Sequence, residues 1–138
     1  MTKLTDAIFT VLHDNLNSTF GGRIYFMDVP DGTALPYLVY HPITAPTELS
    51  YQTNKPYDAR IQFSVVGKPA RAALALLEQC MVVLDANTPA LASPESCHNV
   101  LREGDAEPLP QEEPLRDEGA ERVYGFFAEY IYSVSYVG

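Results

Sequence analysis

The sequence has no tryptophan, only two cysteines and no long apolar run. No stretch approaches the roughly 18 uninterrupted apolar residues of a transmembrane helix, and the first residues lack the basic and apolar regions of a signal peptide. We therefore expect a soluble, cytosolic product without a membrane span. Cys80 and Cys97 are too few and too unpatterned for a disulfide framework or a zinc site. We expect both to be reduced and partly buried.

Basic residues are scarce as well. Nine Lys and Arg stand against eighteen Asp and Glu, which gives a formal net charge of -9. A protein that grips nucleic acid through its phosphates needs a basic surface, so we expect no nucleic-acid binding. An acidic surface instead favours solubility, suits basic protein partners, or lines a passage that must not hold a polyanion.

Motifs for catalysis or cofactor binding are also missing. Neither GxGxxG nor GxxxxGK[ST] occurs, so nothing predicts a phosphate cradle. Cys97 and His98 are adjacent, which on a strand points them to opposite faces and argues against a catalytic dyad. The three histidines lie on different predicted elements without metal-ligand spacing: His13, His41 and His98. We predict no cofactor, no metal and no enzymatic activity.

Hydrophobic residues are plentiful, at 46% of the chain with nine Tyr and six Phe. Apolar residues recur at helical spacing over residues 4–16, and the two glycines of Phe20-Gly21-Gly22 predict the end of that helix. A second helix is predicted over residues 69–84. Its apolar stripe consists of Ala73, Leu74, Leu77, Met81 and Leu84, and Cys80 lies beside it.

Aromatic and β-branched runs predict five strands, over residues 23–26, 36–41, 57–66, 97–102 and 122–137. Residues 57–66 alternate cleanly, and we expect Ala59, Ile61, Phe63 and Val65 to share the buried side. The last strand carries unusually many aromatic residues. It is interpreted either as the core strand against which the helices pack or as a strand partly exposed at an oligomer interface.

These elements predict one α+β domain over residues 1–138, with an antiparallel or mixed sheet and two α-helices packed on one face. Residues 103–121 carry eight acidic residues, one Arg and three prolines, so we expect a mobile, acidic, Pro-rich loop there. Residues 43–56 are expected to form a loop or an irregular edge strand.

Three segments, in order, carry a resemblance to a known family: Gly21-Gly22-Arg23-Ile24-Tyr25 after the first helix, then Ala34-Leu35-Pro36-Tyr37-Leu38-Val39-Tyr40, then Arg60-Ile61-Gln62-Phe63-Ser64-Val65-Val66-Gly67 before the second helix. The chain resembles the small tail-completion, or tail-terminator, proteins of long-tailed bacteriophages and prophages. The resemblance covers most of the chain apart from residues 103–121.

The resemblance implies a virion protein, made in the host cytoplasm, whose copies form a ring, usually hexameric. Such a ring caps the tail tube, joins it to the head connector and lets DNA pass without binding it. Two segments are candidates for docking onto neighbouring rings: the loop of residues 43–56 and the acidic loop of residues 103–121. The candidate interaction residues are Tyr51, Tyr57, Glu112, Glu113, Asp117 and Glu118. Two alternatives remain open, another neck or tail-tube component and, in a different class, a small ligand-binding or enzymatic domain.

Overall fold

A computed structural model of the protein describes residues 2–44, 56–108 and 123–136. These residues form two helices and five strands, which confirms the α+β prediction. In chain order the elements are α1 Thr2–Leu16, β1 Ile24–Phe26, β2 Tyr37–Thr44, β3 Tyr57–Gly67, α2 Ala70–Ala86, β4 Glu95–Pro108 and β5 Tyr124–Tyr136.

The five strands form one sheet in the order β1-β2-β3-β5-β4. β1 and β2 run parallel, whereas the pairs β2–β3, β3–β5 and β5–β4 are antiparallel. The sheet is therefore mixed, with β1 and β4 at its two edges. Both helices lie on the same face, as predicted.

Helix α1 buries one stripe of large apolar side chains, and the chain turns sharply after the helix ends. Leu4, Ile8 and Leu12 are fully buried. Gly21 and Gly22 have φ angles of 57° and 79°, which glycine adopts without a steric penalty. This turn reverses the chain after the helix, so that β1 can enter the sheet.

The predicted alternation is confirmed for β5 and for the first half of β3, whereas residues 63–67 of β3 are all buried, Ser64 among them. Ile61 and Phe63 of β3 and Tyr130 and Tyr132 of β5 have no exposed surface. Because β5 lies between β3 and β4 and contacts α2, its aromatic face belongs to the core. The core interpretation of the last strand is therefore correct for the face that the helices cover.

Tyrosine hydroxyls connect the sheet to both helices. The Tyr130 hydroxyl donates a hydrogen bond of 2.7 Å to the Asp85 carboxylate at the end of α2. The Tyr40 hydroxyl donates a hydrogen bond of 3.4 Å to the carbonyl oxygen of Thr5 in α1. The Tyr132 hydroxyl is buried and has no hydrogen-bond partner among the described residues.

Two expectations need correction. β4 extends from Glu95 to Pro108 rather than over residues 97–102, so residues 103–108 are strand and not the start of the acidic loop. Glu103, Glu107 and Pro108 pair with β5 on either side of an irregularity in the register, and the charged side chains of this stretch are exposed. Cys80 lies inside the buried stripe of α2, whereas Leu74 is only partly buried. The other positions of the two predicted loops, 45–55 and 109–121, lie outside the described residues.

The two core tyrosines provide a matched pair of variants. Tyr132→Phe should leave the free energy of unfolding unchanged or raise it by up to about 1 kcal/mol, because it removes a buried hydroxyl without a described partner. Tyr130→Phe should lower it by about 1 kcal/mol, because it removes the hydrogen bond from the Tyr130 hydroxyl to the Asp85 carboxylate. Urea unfolding followed by far-UV circular dichroism measures both. Equal losses in the two variants would contradict this assignment of their hydroxyls.

The buried thiol and phenol groups of the core predict that the free energy of unfolding falls at high pH. Burial raises the pKa of Cys80 and of Tyr40 to about 12, and it raises the pKa of Tyr130 and Tyr132 further. In the unfolded chain a thiol and a phenol lose their protons near pH 8.5 and about pH 10 respectively, so between these values and the folded pKa values the unfolded state binds fewer protons. Stability is therefore complete below about pH 8.5 and falls above it.

By about pH 11 the loss should be on the order of 5 kcal/mol, which is comparable with the whole stability of many domains. Urea titrations at a series of pH values measure it, and absorbance near 295 nm reports tyrosine ionisation. Tyr132→Phe should reduce the slope against pH by up to about 1.4 kcal/mol per unit. A stability that stays constant up to about pH 11 would contradict the burial of these groups.

Candidate assembly surface

The sheet has one face that no helix of the described residues covers. We call it the open face. On β2, β3 and β5 its residues alternate with those that point toward the helices, and most of them are half-exposed, whereas Ser64 and Val66 are buried. It is formed by Tyr25, Tyr37, Val39, His41, Arg60, Gln62, Ser64, Val66, Asn99, Leu101, Glu103, Glu107, Phe127, Glu129, Ile131 and Ser133.

Strand register arranges the open face in rows. One row is largely aromatic and apolar and runs from Tyr25 through Val39 to Phe127. The next is polar and joins His41, Gln62, Glu129 and Glu103. A third places Arg60 beside Ile131 and Leu101. Apolar and charged groups therefore alternate across this face, a mixture typical of subunit interfaces rather than of a core.

Arg60 holds three strands together at the centre of the open face. One guanidinium nitrogen, Nη1, lies 2.8 Å from a Glu103 carboxylate oxygen on β4 and 3.0 Å from one of Glu129 on β5. The hydrogen bonds that Arg60 donates to Glu129 and Glu103 raise the pKa of Arg60. Because Glu103 and Glu129 lie directly opposite each other, the arginine offsets a repulsion that would otherwise weaken the pairing of β4 with β5.

Strand β4 is the longest strand of the structure and forms an edge of the sheet. Its pairing with β5 is regular between Asn99 and Glu103, and shifts occur on both sides of that stretch. Leu101, in the middle of the stretch, points to the open face and is 54% exposed. Edge strands with exposed apolar groups are the positions at which proteins join other chains.

Carboxylates concentrate beside this edge. Glu103, Asp105, Glu107 and Glu129 surround a shallow depression of about 260 Å³ that also includes Phe127. Arg102 points to the other face and pairs with Asp85 at 3.5 Å, and with Asp105 at 3.7 Å. The β4–β5 part of the open face is therefore strongly acidic, in line with the net charge of the chain.

Of the candidate interaction residues, only Tyr57 lies within the described residues. It begins β3 and packs against the core, and its hydroxyl donates a hydrogen bond of 3.5 Å to Glu95. Tyr51, Glu112, Glu113, Asp117 and Glu118 lie outside the described residues. The roles of all six in docking remain predictions.

The structure brings no catalytic or metal-ligating group together within its described parts. Cys97 is buried while His98 is exposed, as the strand alternation predicted. Burial raises the pKa of both thiols, which opposes the thiolate form that a nucleophile needs. No group of His, Cys, Asp and Glu that could hold a metal ion occurs among the described residues.

Sequence reasoning did not single out the residues that define this surface. The alternation of β3 placed Arg60 opposite the buried side chains, but its partners depend on which strands flank β3. Glu103 was assigned to a loop, and Leu101 was assigned to a strand whose edge position was unknown. Leu101 is an apolar residue between polar neighbours on a strand, which is a weak signal by itself.

The fold and this surface define a small α+β structural domain with one sheet face free for contacts. The sequence matches the family "Tail completion protein gp17" over residues 6–114, which is most of the chain. The chain belongs to this family, and it therefore has a structural role in completing the tail of a bacteriophage and is a component of the virion. No curated protein matches the sequence. Neither helix of the described chain is long and apolar enough to cross a membrane.

The cluster of Arg60, Glu103 and Glu129, which we call the Arg60 cluster, leads to a test of how β4 is held against β5. Arg60→Gln should lower the urea midpoint at low ionic strength, because Glu103 and Glu129 then face each other without a cation. Raising the salt to about 0.5 M should restore part of the loss by screening that repulsion. Adding Glu129→Gln to the variant should restore stability at low salt. An Arg60→Gln protein as stable as the wild type at low salt would show that the cluster does not hold β4.

Proposed function

We propose that the chain is a tail terminator subunit and that six copies form a ring which caps the tail tube and joins it to the head connector. Membership of the tail completion family supports the position in the tail. The open face is the observation that carries the assembly, because one side of the sheet has no covering layer within the described chain. Its partners are further copies of the chain, the tail tube protein and the connector proteins.

A ring requires contacts of a particular kind. Each copy must use one surface toward one neighbour and a different surface toward the next, so the interface is heterologous. Here the two sides of the domain differ in this way: one is a layer of helices and the other is an open sheet face. A domain with two dissimilar sides suits a closed ring better than a two-fold dimer.

The acidic balance supports passage of DNA without binding. A net charge of -9 per chain gives a hexamer a strongly negative field, and a negative channel wall repels phosphates. Transit is then not slowed by specific or counterion-release binding. An acidic outer surface would also keep unassembled subunits soluble in the host cytoplasm, where we propose that they are made.

The same observations favour an assembly role over an enzymatic one. The buried thiols are held in their protonated form, and the histidines lie on three separate elements. The acidic depression beside β4 is shallow and lacks a convergent histidine or a metal-ligand group within the described residues. We therefore propose that the protein is not an enzyme.

Native mass and imaging test this function. Light scattering across a concentration series should show a species of six times the 15.3 kDa chain mass, and negative-stain images should show rings with six-fold symmetry. If the free protein is monomeric, purified tail tubes should recruit it to one end, because a template supplies the partner surface.

A protein that stays monomeric at high concentration and is not recruited by tail tubes would contradict the proposal. Binding along the length of the tubes would instead indicate a tube component, and binding to connector rings alone would indicate a different neck protein. A mixing experiment with labelled DNA completes the test, since retention of DNA by the rings at physiological salt would contradict free passage.

A further inference from the structure

The outward side of helix α2 carries a stripe of mainly small and apolar residues, which is flanked by the exposed charged residues Arg71, Glu78 and Asp85. Its buried residues include Ala73, Leu77 and Leu84. The opposite side carries Ala72, Ala75, Gln79, Val82 and Ala86, spaced alternately by three and four residues, and all of these are exposed. Val82 is 70% exposed, more than any other exposed large hydrophobic side chain of the described chain. Such a spacing forms one continuous stripe that can pack against a flat partner.

The start of α2 is positively charged. Arg71 is exposed in the first helical turn, which contains no acidic residue. A cation near a helix N-terminus is disfavoured by the helix dipole, so Arg71 does not stabilise its own helix. Its position is explained if a carboxylate from outside the helix offsets both the charge of Arg71 and the positive end of the helix dipole.

The open face provides the complementary features in a matching layout. Leu101 and Ile131 lie side by side and are at least partly exposed, and the carboxylates of Glu103, Glu107 and Glu129 lie farther along the same two strands. The distance along β5 from the level of Phe127 and Glu107 to the level of Ile131 and Leu101 is about 13 Å. The distance along α2 from Arg71 to Val82 is about 16 Å. Because the two distances are similar, the charged group and the apolar group of the helix can each meet a matching group of the sheet.

We propose that the outer side of α2 in one copy packs onto the open face of a second copy of this chain, with Val82 against Leu101 and Ile131 and with Arg71 against Glu107, since Arg60 already pairs with Glu103 and Glu129. The inference rests on the proposed ring and identifies its contact surfaces. The neighbour's helix completes a layer over the sheet, an arrangement common in α/β packing. Because α2 and the open face lie on opposite sides of the domain, each copy binds two neighbours, and the contact is heterologous.

Cysteine cross-linking tests the contact in the assembled protein. The double variant Val82→Cys with Leu101→Cys, treated with a mild oxidant, should give a ladder of disulfide-linked multimers on a non-reducing gel, with loss of most of the monomer band. Each single variant should remain monomeric on the gel. The native thiols should not interfere, because Cys80 is fully buried and Cys97 is 9% exposed.

Position controls make the result specific. Asp14→Cys with Leu101→Cys places the first thiol on α1, in the same helical layer, and should give no ladder. A ladder from that pair, a dimer from Val82→Cys alone or a dimer from Leu101→Cys alone would overturn the proposal, because each indicates a different contact. The absence of a ladder from Val82→Cys with Leu101→Cys in protein that forms rings would also overturn it.

A charge reversal provides an independent test. Arg71→Glu and Glu107→Arg should each raise the concentration at half-assembly by about tenfold or more, and the double variant should recover most of the loss. Asp14→Arg serves as the matched surface control, and far-UV circular dichroism confirms folding. Rings that form equally well in every variant would overturn this contact while leaving the proposed function in place. A wild-type protein that forms no ring, alone or on tail tubes, would overturn both.

Discussion

Strands β3 and β5 pair along the whole of β3, and the rest of the structure depends on this pairing. It joins chain segments about sixty residues apart in sequence and places Phe63 edge-on to Tyr130, with their ring centroids 5.6 Å apart. Helix α2 packs on both strands, and β2 and β4 are added on either side. The apolar sides of all the other elements can be buried only once this aromatic centre exists.

The two helices cover only one face of the five-stranded sheet, and the other face is left without a helical layer among the described residues. In the proposed assembly the open face must remain soluble beforehand and then bind a neighbouring subunit. Arg60 meets both demands, because its ion pairs with Glu103 and Glu129 hold β4 in place and keep the middle of the face polar. Apolar side chains such as Leu101 and Phe127 then remain separated by charges instead of forming one large exposed patch.

Local patterns in the sequence predicted what depends on a single segment. The helices, the buried side of β3 and the buried aromatic side of β5 follow from apolar spacing and are confirmed, whereas Ser64, expected on the exposed side of β3, is buried. The patterns failed where a partner strand decides the outcome: residues 103–108 have the composition of a loop and form strand because β5 is beside them. The Arg60 cluster could not be predicted for the same reason, since its three residues meet only after the order of the strands is known. Tyr57 shows the converse, because a residue chosen for docking also packs against the core.

The proposed ring needs an interface that is weak between two subunits and strong when the ring is closed. Partly charged contact surfaces satisfy this requirement, because each single contact loses much of its electrostatic gain to solvent and salt. Closure adds a final contact without a further loss of translational freedom, so the ring is favoured over open chains of the same subunits. The mixed character of the open face, with apolar rows beside carboxylates, therefore suits the proposed ring.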